Sequence, residues 1–234
     1  MKHVVGLSGG KDSTALALRL AEVEPREYEY ICNATGNELP AVAEHIARME
    51  EMLGAPVKIV GAGMTLFELI EQQKMLPNFR SRFCTRILKI EPTIEYFEML
   101  PEGSVLYVGL RADEEERKGL FGEDITIRFP MREWGWGIQD VWNYLGQRGI
   151  TIPKRTDCTV CPYQRLGEWF DLWKNYPEEY QAGVDIEERH GHTFRSAQRD
   201  TWPASLAELA KEFARGRPVR ERKTKVEPCR VCSL

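Results

Sequence analysis

Short apolar segments alternate with helical patterns through the first 110 residues, and this rhythm limits the fold more than any other feature. Residues 3–7, 28–33, 56–60 and 104–110 read as strands, and residues 13–22, 39–53 and 86–99 carry apolar positions at helical spacing. Short strands separated by helices of 10 to 15 residues predict βαβ units and a parallel sheet covered on both faces. The pattern loosens after Gly109. Residues 111–123 are charged and contain glycine, which predicts a flexible substrate loop rather than a core element. A helical period resumes at 138–145, and residues 164–176 and 203–213 read as amphipathic helices, the first rich in Trp and Leu and the second in Leu and Ala. A boundary near 149–154 divides a sheet domain, residues 1–150, from a helical, cysteine-bearing part, residues 151–234. No internal repeat or low-complexity segment interrupts the chain.

Composition narrows the setting. The chain has 234 residues, 42% hydrophobic and 29% charged, a globular balance that excludes disorder throughout. No apolar run reaches the about 18 residues of a membrane span. The start of the chain enters a strand directly and lacks the pattern of a secretory leader, so a cytoplasmic location is expected. There, six cysteines suit metal binding or redox chemistry better than disulfides. The net charge is −4, yet residues 211–225 hold seven Lys or Arg against Glu212 and Glu221, a local +5. Such a segment either steers the chain to a phosphate-rich partner or is a solvated tail.

The sharpest local signal is Ser8-Gly9-Gly10-Lys11-Asp12-Ser13, between the first strand and the first helix. The glycines allow a tight turn whose N–H groups face an anion. Ser8 and Ser13 supply hydroxyls, Lys11 a positive charge, and the helix its positive N-terminal end. Phosphate binding at the C-terminal edge of a parallel sheet follows. Neither the Walker A pattern nor G-x-G-x-x-G occurs here. Asp12 suits a Mg²⁺ ion or caps the helix.

This turn resembles the PP-loop signature of ATP pyrophosphatases, the adenine nucleotide α-hydrolase-like group. Four further segments, in order, resemble one branch, the PAPS reductase family. Residues 33–40, with Asn33 in place of Asp, resemble its D-T-G-x-E-x-P element; residues 84–92 resemble C-x-x-x-x-K-x-x-P. Gly109-Leu110-Arg111, followed by Glu115 and Arg117, resembles its G-x-R loop. Residues 130–134 and 140–144 resemble P-x-x-x-W and D-V-W-x-Y. The resemblance covers about residues 3 to 165. It implies a doubly wound, mostly parallel five-stranded α/β sheet holding ATP, or APS or PAPS, with Mg²⁺. Ser8 to Ser13, Thr35 and Gly36 would bind the nucleotide, while Lys89, Arg111 and Arg117 would meet its anionic groups or the substrate's.

Cys158-x-x-Cys161 and Cys229-x-x-Cys232 are separated by 67 residues. Two C-x-x-C turns complete a four-sulfur site, suited to zinc or to an iron–sulfur cluster. Resemblance to the cluster-bearing APS reductases points to [4Fe–4S]. Where those enzymes carry a Cys-Cys pair, this chain has Cys84-Thr85, so Cys84 is either free or joins the first pair and one tail cysteine. Cys32, within the second strand, reads as a buried small hydrophobe. The E-C-G-L-H-like tail whose cysteine attacks sulfate in sulfonucleotide reductases is missing; the last residues are Cys229-Arg230-Val231-Cys232-Ser233-Leu234.

The expected function is therefore ATP-dependent adenylation of an acceptor with pyrophosphate release, followed by sulfur transfer. The sulfur would be carried on the cluster or on Cys84, and the acceptor is expected to be DNA or tRNA, with a cysteine desulfurase as donor. The alternatives are an APS or PAPS reductase working with thioredoxin and a nucleotide-binding adaptor without catalysis.

Overall fold

The computed structural model describes residues 1–114 and 125–219. Five strands, β1 (His3–Gly6), β2 (Glu29–Cys32), β3 (Val57–Ile59), β4 (Val105–Tyr107) and β5 (Thr126–Arg128), form one all-parallel sheet in the order β3-β2-β1-β4-β5. The four apolar runs are all strands, each slightly shorter than its run. The fifth strand, Thr-Ile-Arg at the sheet edge, is the one that residue pattern alone does not reveal.

Side chains alternate across the sheet as the pleat demands. Val5, Leu7, Tyr30 and Tyr107 pack on one face with α1 (Lys11–Val23) and α7 (Ile138–Gln147), beside Met49 of α2 (Pro40–Leu53) and Met131 of α6 (Pro130–Glu133). Val4, Ile31, Leu106 and Val108 point the other way, onto Ile90, Ile94 and Phe97. Both faces are covered, so the sheet is doubly wound.

The helix on that second face is interrupted. It runs from α4 (Phe83–Thr85) through a π-helical turn, Arg86–Ile90, into α5 (Glu91–Glu98). Pro92 explains the break: it has no N–H for the Leu88 carbonyl, and its ring crowds that oxygen. The N–H of Glu91 instead bonds Arg86 O, a five-residue reach.

Besides the short α4 and α6, two longer helices among the described residues lie outside the segments singled out by pattern. The first is α3 (Leu66–Gln73), whose Thr65 and Glu68 form a capping box. The other is α9 (Pro177–His190), flanked by α8 (Leu166–Asn175) and α10 (Leu206–Ala214). Val160, Trp169, Leu172, Tyr180, Leu206 and Leu209 share one apolar cluster with Val42, Leu66, Leu69, Phe83 and Leu88. The C-terminal helices thus share one apolar core with α2, α3 and the interrupted helix. Among the described residues no helix is long and apolar enough to cross a membrane.

Candidate nucleotide site

In the order β3-β2-β1-β4-β5, the connections from β1 and β4 leave the sheet in opposite directions, and the crevice beyond their C-terminal ends is where open α/β sheets take ligands. The turn 8–10 leaves β1 there, and Gly9, at φ +75°, adopts the left-handed conformation that the reversal requires. The helix begins at Lys11, two residues earlier than its apolar spacing predicts. Gly10 is therefore the N-cap and Asp12 lies in the first turn, so Asp12 does not cap the helix. No side chain caps it either, leaving the first-turn N–H groups to an outside acceptor. Ser13 fastens the turn: its hydroxyl donates to Gly10 O at 3.1 Å and accepts the Ser8 N–H at 3.2 Å, with the Ser8 hydroxyl 3.1 Å away.

The loop after β4 closes on this turn. A Cβ on Gly109 would sit 3.1 Å from the Asp12 carbonyl carbon and 3.2 Å from Ser13 N, so the approach needs a glycine. Two residues on, Arg111 is 2% exposed, not the solvent-facing loop residue that its charged surroundings suggest. Its guanidinium donates to Asp12 Oδ2 at 2.8 Å and Asp113 Oδ1 at 2.8 Å, with Glu114 Oε2 at 3.3 Å. Burial pulls its pKa down, but these carboxylates outweigh that and hold it above the usual arginine value. Residues 112–114 form a 3-10 turn; Arg117, Glu115 and the rest of 115–124 lie outside the described residues.

Lys11 Nζ shares Asp12 Oδ2 at 2.9 Å, while Asp12 Oδ1 is buried without a hydrogen-bond partner among the described residues. An orphaned, buried carboxylate oxygen has the donor chemistry of a hard divalent cation, so Asp12 fits Mg²⁺ arriving with a polyphosphate.

The loop after β2 forms the other wall. Thr35 donates through both its N–H and its hydroxyl to Glu38 Oε1, each at 2.7 Å, and Gly36 turns against Thr65. Asn33 Nδ2 donates to Val60 O at 2.9 Å, to Thr93 Oγ1 at 3.0 Å and to Lys89 O at 3.4 Å. An aspartate could not donate to those carbonyls, so the asparagine pins the π-turn to the sheet through its amide.

Cys158 is brought to the same loop. Its Sγ lies 3.1 Å from Thr35 Oγ1, its backbone forms a bridge with Glu38, and the Thr159 N–H bonds Asn37 O at 2.7 Å. Cys161 follows in a turn, its N–H bonded to Cys158 O at 3.2 Å. Burial pushes the Cys158 thiol up to about 11 and the Cys161 thiol well above its ordinary value. Cys84 is raised for the same reason, and Cys161 feels the charge of both Cys158 and Cys84. The positive charge of Lys89 opposes the rise at Cys32, Cys84 and Cys158. Cys32 is buried, packed with the core of the first face.

No group of three or more metal-binding side chains is assembled among the described residues. Cys158 and Cys161 offer two sulfurs from one turn, which suits zinc or an iron–sulfur cluster. Cys229 and Cys232 lie outside the described residues, as does the basic stretch beyond Val219.

A profile of the phosphoadenosine phosphosulfate reductase domain matches residues 2–171, through the sheet, the turn and the Cys158–Cys161 pair. The chain belongs to that family. Its five-stranded parallel α/β fold fits the wider PP-loop, adenine nucleotide α-hydrolase-like superfamily. A phosphoadenylyl-sulfate reductase of Candida auris, solved with phosphate, superposes with a TM-score of 0.51 at 12% identity, over 65% of this chain and 75% of its own. An uncharacterized protein of Methanocaldococcus jannaschii is 26% identical over 223 residues, covering 87% of this chain and 53% of its own. This PAPS reductase family chain thus spans about half the length of the curated relative it matches.

Proposed function

We propose that this PAPS reductase family chain binds ATP with its phosphates over the 8–13 turn and adenylates an acceptor for sulfur transfer. The observation that carries this reading is the convergence, in one crevice, of an uncapped helix start, Lys11, Arg111 and the unpartnered Asp12 oxygen. An acceptor oxygen bonds to the α-phosphorus while the bond to pyrophosphate breaks. The first-turn N–H groups and Lys11 take up the charge that develops on the leaving pyrophosphate. Asp12 would hold Mg²⁺, which adds charge neutralisation there. Arg111 orients Asp12 through the 2.8 Å contact, and Arg117 and Lys89 are assigned to the anionic groups of nucleotide and acceptor.

Sulfur transfer follows: the outer sulfur of a persulfide on Cys84 attacks the adenylated centre, AMP leaves with the acceptor oxygen, and an external thiol then attacks the Cys84 sulfur, forming a disulfide with it and releasing the thiolated acceptor. Cys158 and Cys161, with Cys229 and Cys232, are assigned as thiolate ligands of an iron–sulfur cluster or zinc. Bound there, the ion would displace the thiol protons that burial otherwise retains. We assign DNA or tRNA as acceptor and a cysteine desulfurase as sulfur source.

The test uses anaerobically purified protein. Pyrophosphate release from ATP, stimulated by DNA or tRNA, supports the reading, and brown colour with visible charge-transfer absorbance supports a cluster over zinc. The family match favours one rival, reduction of APS or PAPS. Sulfite formed from either with thioredoxin, without pyrophosphate release from ATP, would replace the proposal.

A further inference from the structure

Beside the two cysteine-bearing segments, the surface carries an aromatic pair framed by arginines, and neither the core nor the nucleotide crevice uses it. Phe79 is 43% exposed. Its ring meets Tyr163 edge to face, with centroids 4.8 Å apart. Arg199 lies over Phe79 at 5.4 Å, and Arg82 lies over Tyr163 at 5.2 Å. The presentation is built in on both sides. Asn78 Oδ1 accepts the N–H groups of Arg80 and Ser81 at 2.9 and 3.0 Å, and Arg199 donates to Pro162 O at 3.1 Å. Arg80, at the exposed tip, has no ion pair among the described residues.

The feature that sets this ring apart from other exposed apolar side chains is its surroundings, an aromatic partner and three arginines, and these select what can cover it. An apolar protein partner would have to desolvate three positive charges, Arg80, Arg82 and Arg199, whereas a nucleic-acid strand offers a base face to the ring and phosphates that match the positive charge around it. Phe79 precedes Cys84 by five residues and Tyr163 follows Cys161 by two. A strand held here passes the sulfur chemistry assigned above.

We propose that Phe79 and Tyr163, with Arg80, Arg82 and Arg199, form a stacking platform for an unpaired base of a single-stranded nucleic acid. This deepens, and rests on, the reading of a nucleic-acid acceptor. The test is fluorescence anisotropy with 5′-fluorescein-labelled (dT)15 and (rU)15 at several salt concentrations, alongside ATP binding by the same protein. Phe79→Ala should weaken oligonucleotide binding about tenfold, within the range of one lost base stack, with an unchanged salt slope. Phe79→Trp should retain binding, and Arg80→Ala should reduce the salt slope by about 0.7. ATP binding and thermal midpoint should stay at the parent values in all three. If Phe79→Ala binds both oligonucleotides like the parent, or a 15-base-pair duplex binds as tightly as the single strands, the platform is overturned and the acceptor reading stands. If the parent binds ATP but neither oligonucleotide, both the platform and the nucleic-acid acceptor fall while the nucleotide site survives. Phe79-dependent binding of an oligonucleotide by protein that does not bind ATP would support the platform and sink the adenylation.

Discussion

Arg111 shows how one side chain ties a loop to the 8–13 turn. With 2% of its surface exposed, it is tolerated only because Asp12, Asp113 and Glu114 surround it. Asp12 therefore has a structural duty beside its assigned role at the nucleotide. Asp12→Ala removes one of Arg111's partners inside the crevice, and truncating a buried pair costs about 3–5 kcal/mol when nothing else compensates. The two remaining carboxylates place the expected loss at the lower end of that range, together with loss of pyrophosphate release. Ser13→Ala separates the two effects. It removes hydrogen bonds at 3.1 and 3.2 Å within the turn, worth about 1 kcal/mol each in net stability. It should abolish pyrophosphate release while unfolding stays cooperative and urea stability falls by no more than about 2 kcal/mol. A Ser13→Ala protein that turns over ATP normally would remove the 8–13 turn from the reaction.

Among elements, the interrupted helix at 83–98 has the most local explanation. Pro92 forces the wide turn, and the turn holds the Lys89 carbonyl toward Asn33, while the Lys89 charge opposes the burial-driven rise of the Cys32, Cys84 and Cys158 thiols. Asn33→Asp restores the residue of the D-T-G-x-E-x-P pattern but sets a carboxylate against the oxygens of Val60 and Lys89. It should destabilise the protein by about 1–3 kcal/mol, the cost of unsatisfied buried groups, measured by chemical denaturation at pH 7. Equal stability of the two proteins would mean that the amide contacts contribute nothing. This scale also separates what pattern reveals from what it hides. Strands β1, β2 and β4 are readable because apolar runs record burial within the sheet, and the opposite edge strand β3 because its run is apolar even though Lys58 and Ile59 are exposed. Edge strand β5 is hidden because Thr-Ile-Arg at an exposed border needs only one apolar residue. Helix α3 carries a Thr-x-x-Glu start that a capping-box search finds, and α9 is marked by Pro177 and Gly191 at its ends. The π-turn is written in Pro92, though apolar spacing alone suggests an unbroken helix.

Across the whole molecule, the members of the crevice and the cysteine turn are individually visible in sequence, but their meetings are not. Arg111 with Asp12 and Thr35 with Cys158 join residues 99 and 123 positions apart, and no local pattern encodes such pairs. The shared apolar cluster that packs the C-terminal helices on α2 and α3 makes stability a property of the entire chain, and two buried titratable groups then oppose each other within it. His45 is 2% exposed, bonded to Thr14 at 2.9 Å beneath the 8–13 turn, and burial, reinforced by Arg48, lowers its pKa. The unfolded chain takes up this proton first, so His45 reduces stability as pH falls below about 6.5. Glu187 is 5% exposed and accepts the N–H groups of Phe194 at 2.8 Å and Leu206 at 2.6 Å, yet burial raises its pKa to about 7. The folded chain holds that proton longer than the unfolded one, so its contribution is complete below the unfolded value of 4.5 and is lost as pH rises through 7. Below 6.5 the two slopes oppose each other for as long as His45 stays neutral in the folded chain, and the Glu187 slope ends above about 7. A variant Glu187→Gln loses one acceptor at every pH, which lowers its stability throughout, but it no longer titrates. Urea unfolding at pH 5, 6, 7 and 8 should therefore show the gap between parent and variant narrowing by on the order of 2–3 kcal/mol from pH 5 to pH 8, because each tenfold difference in proton affinity between folded and unfolded chain is worth about 1.4 kcal/mol. A gap that stays constant with pH would mean that Glu187 is ionised in the folded chain throughout, and that its two backbone N–H bonds outweigh its burial.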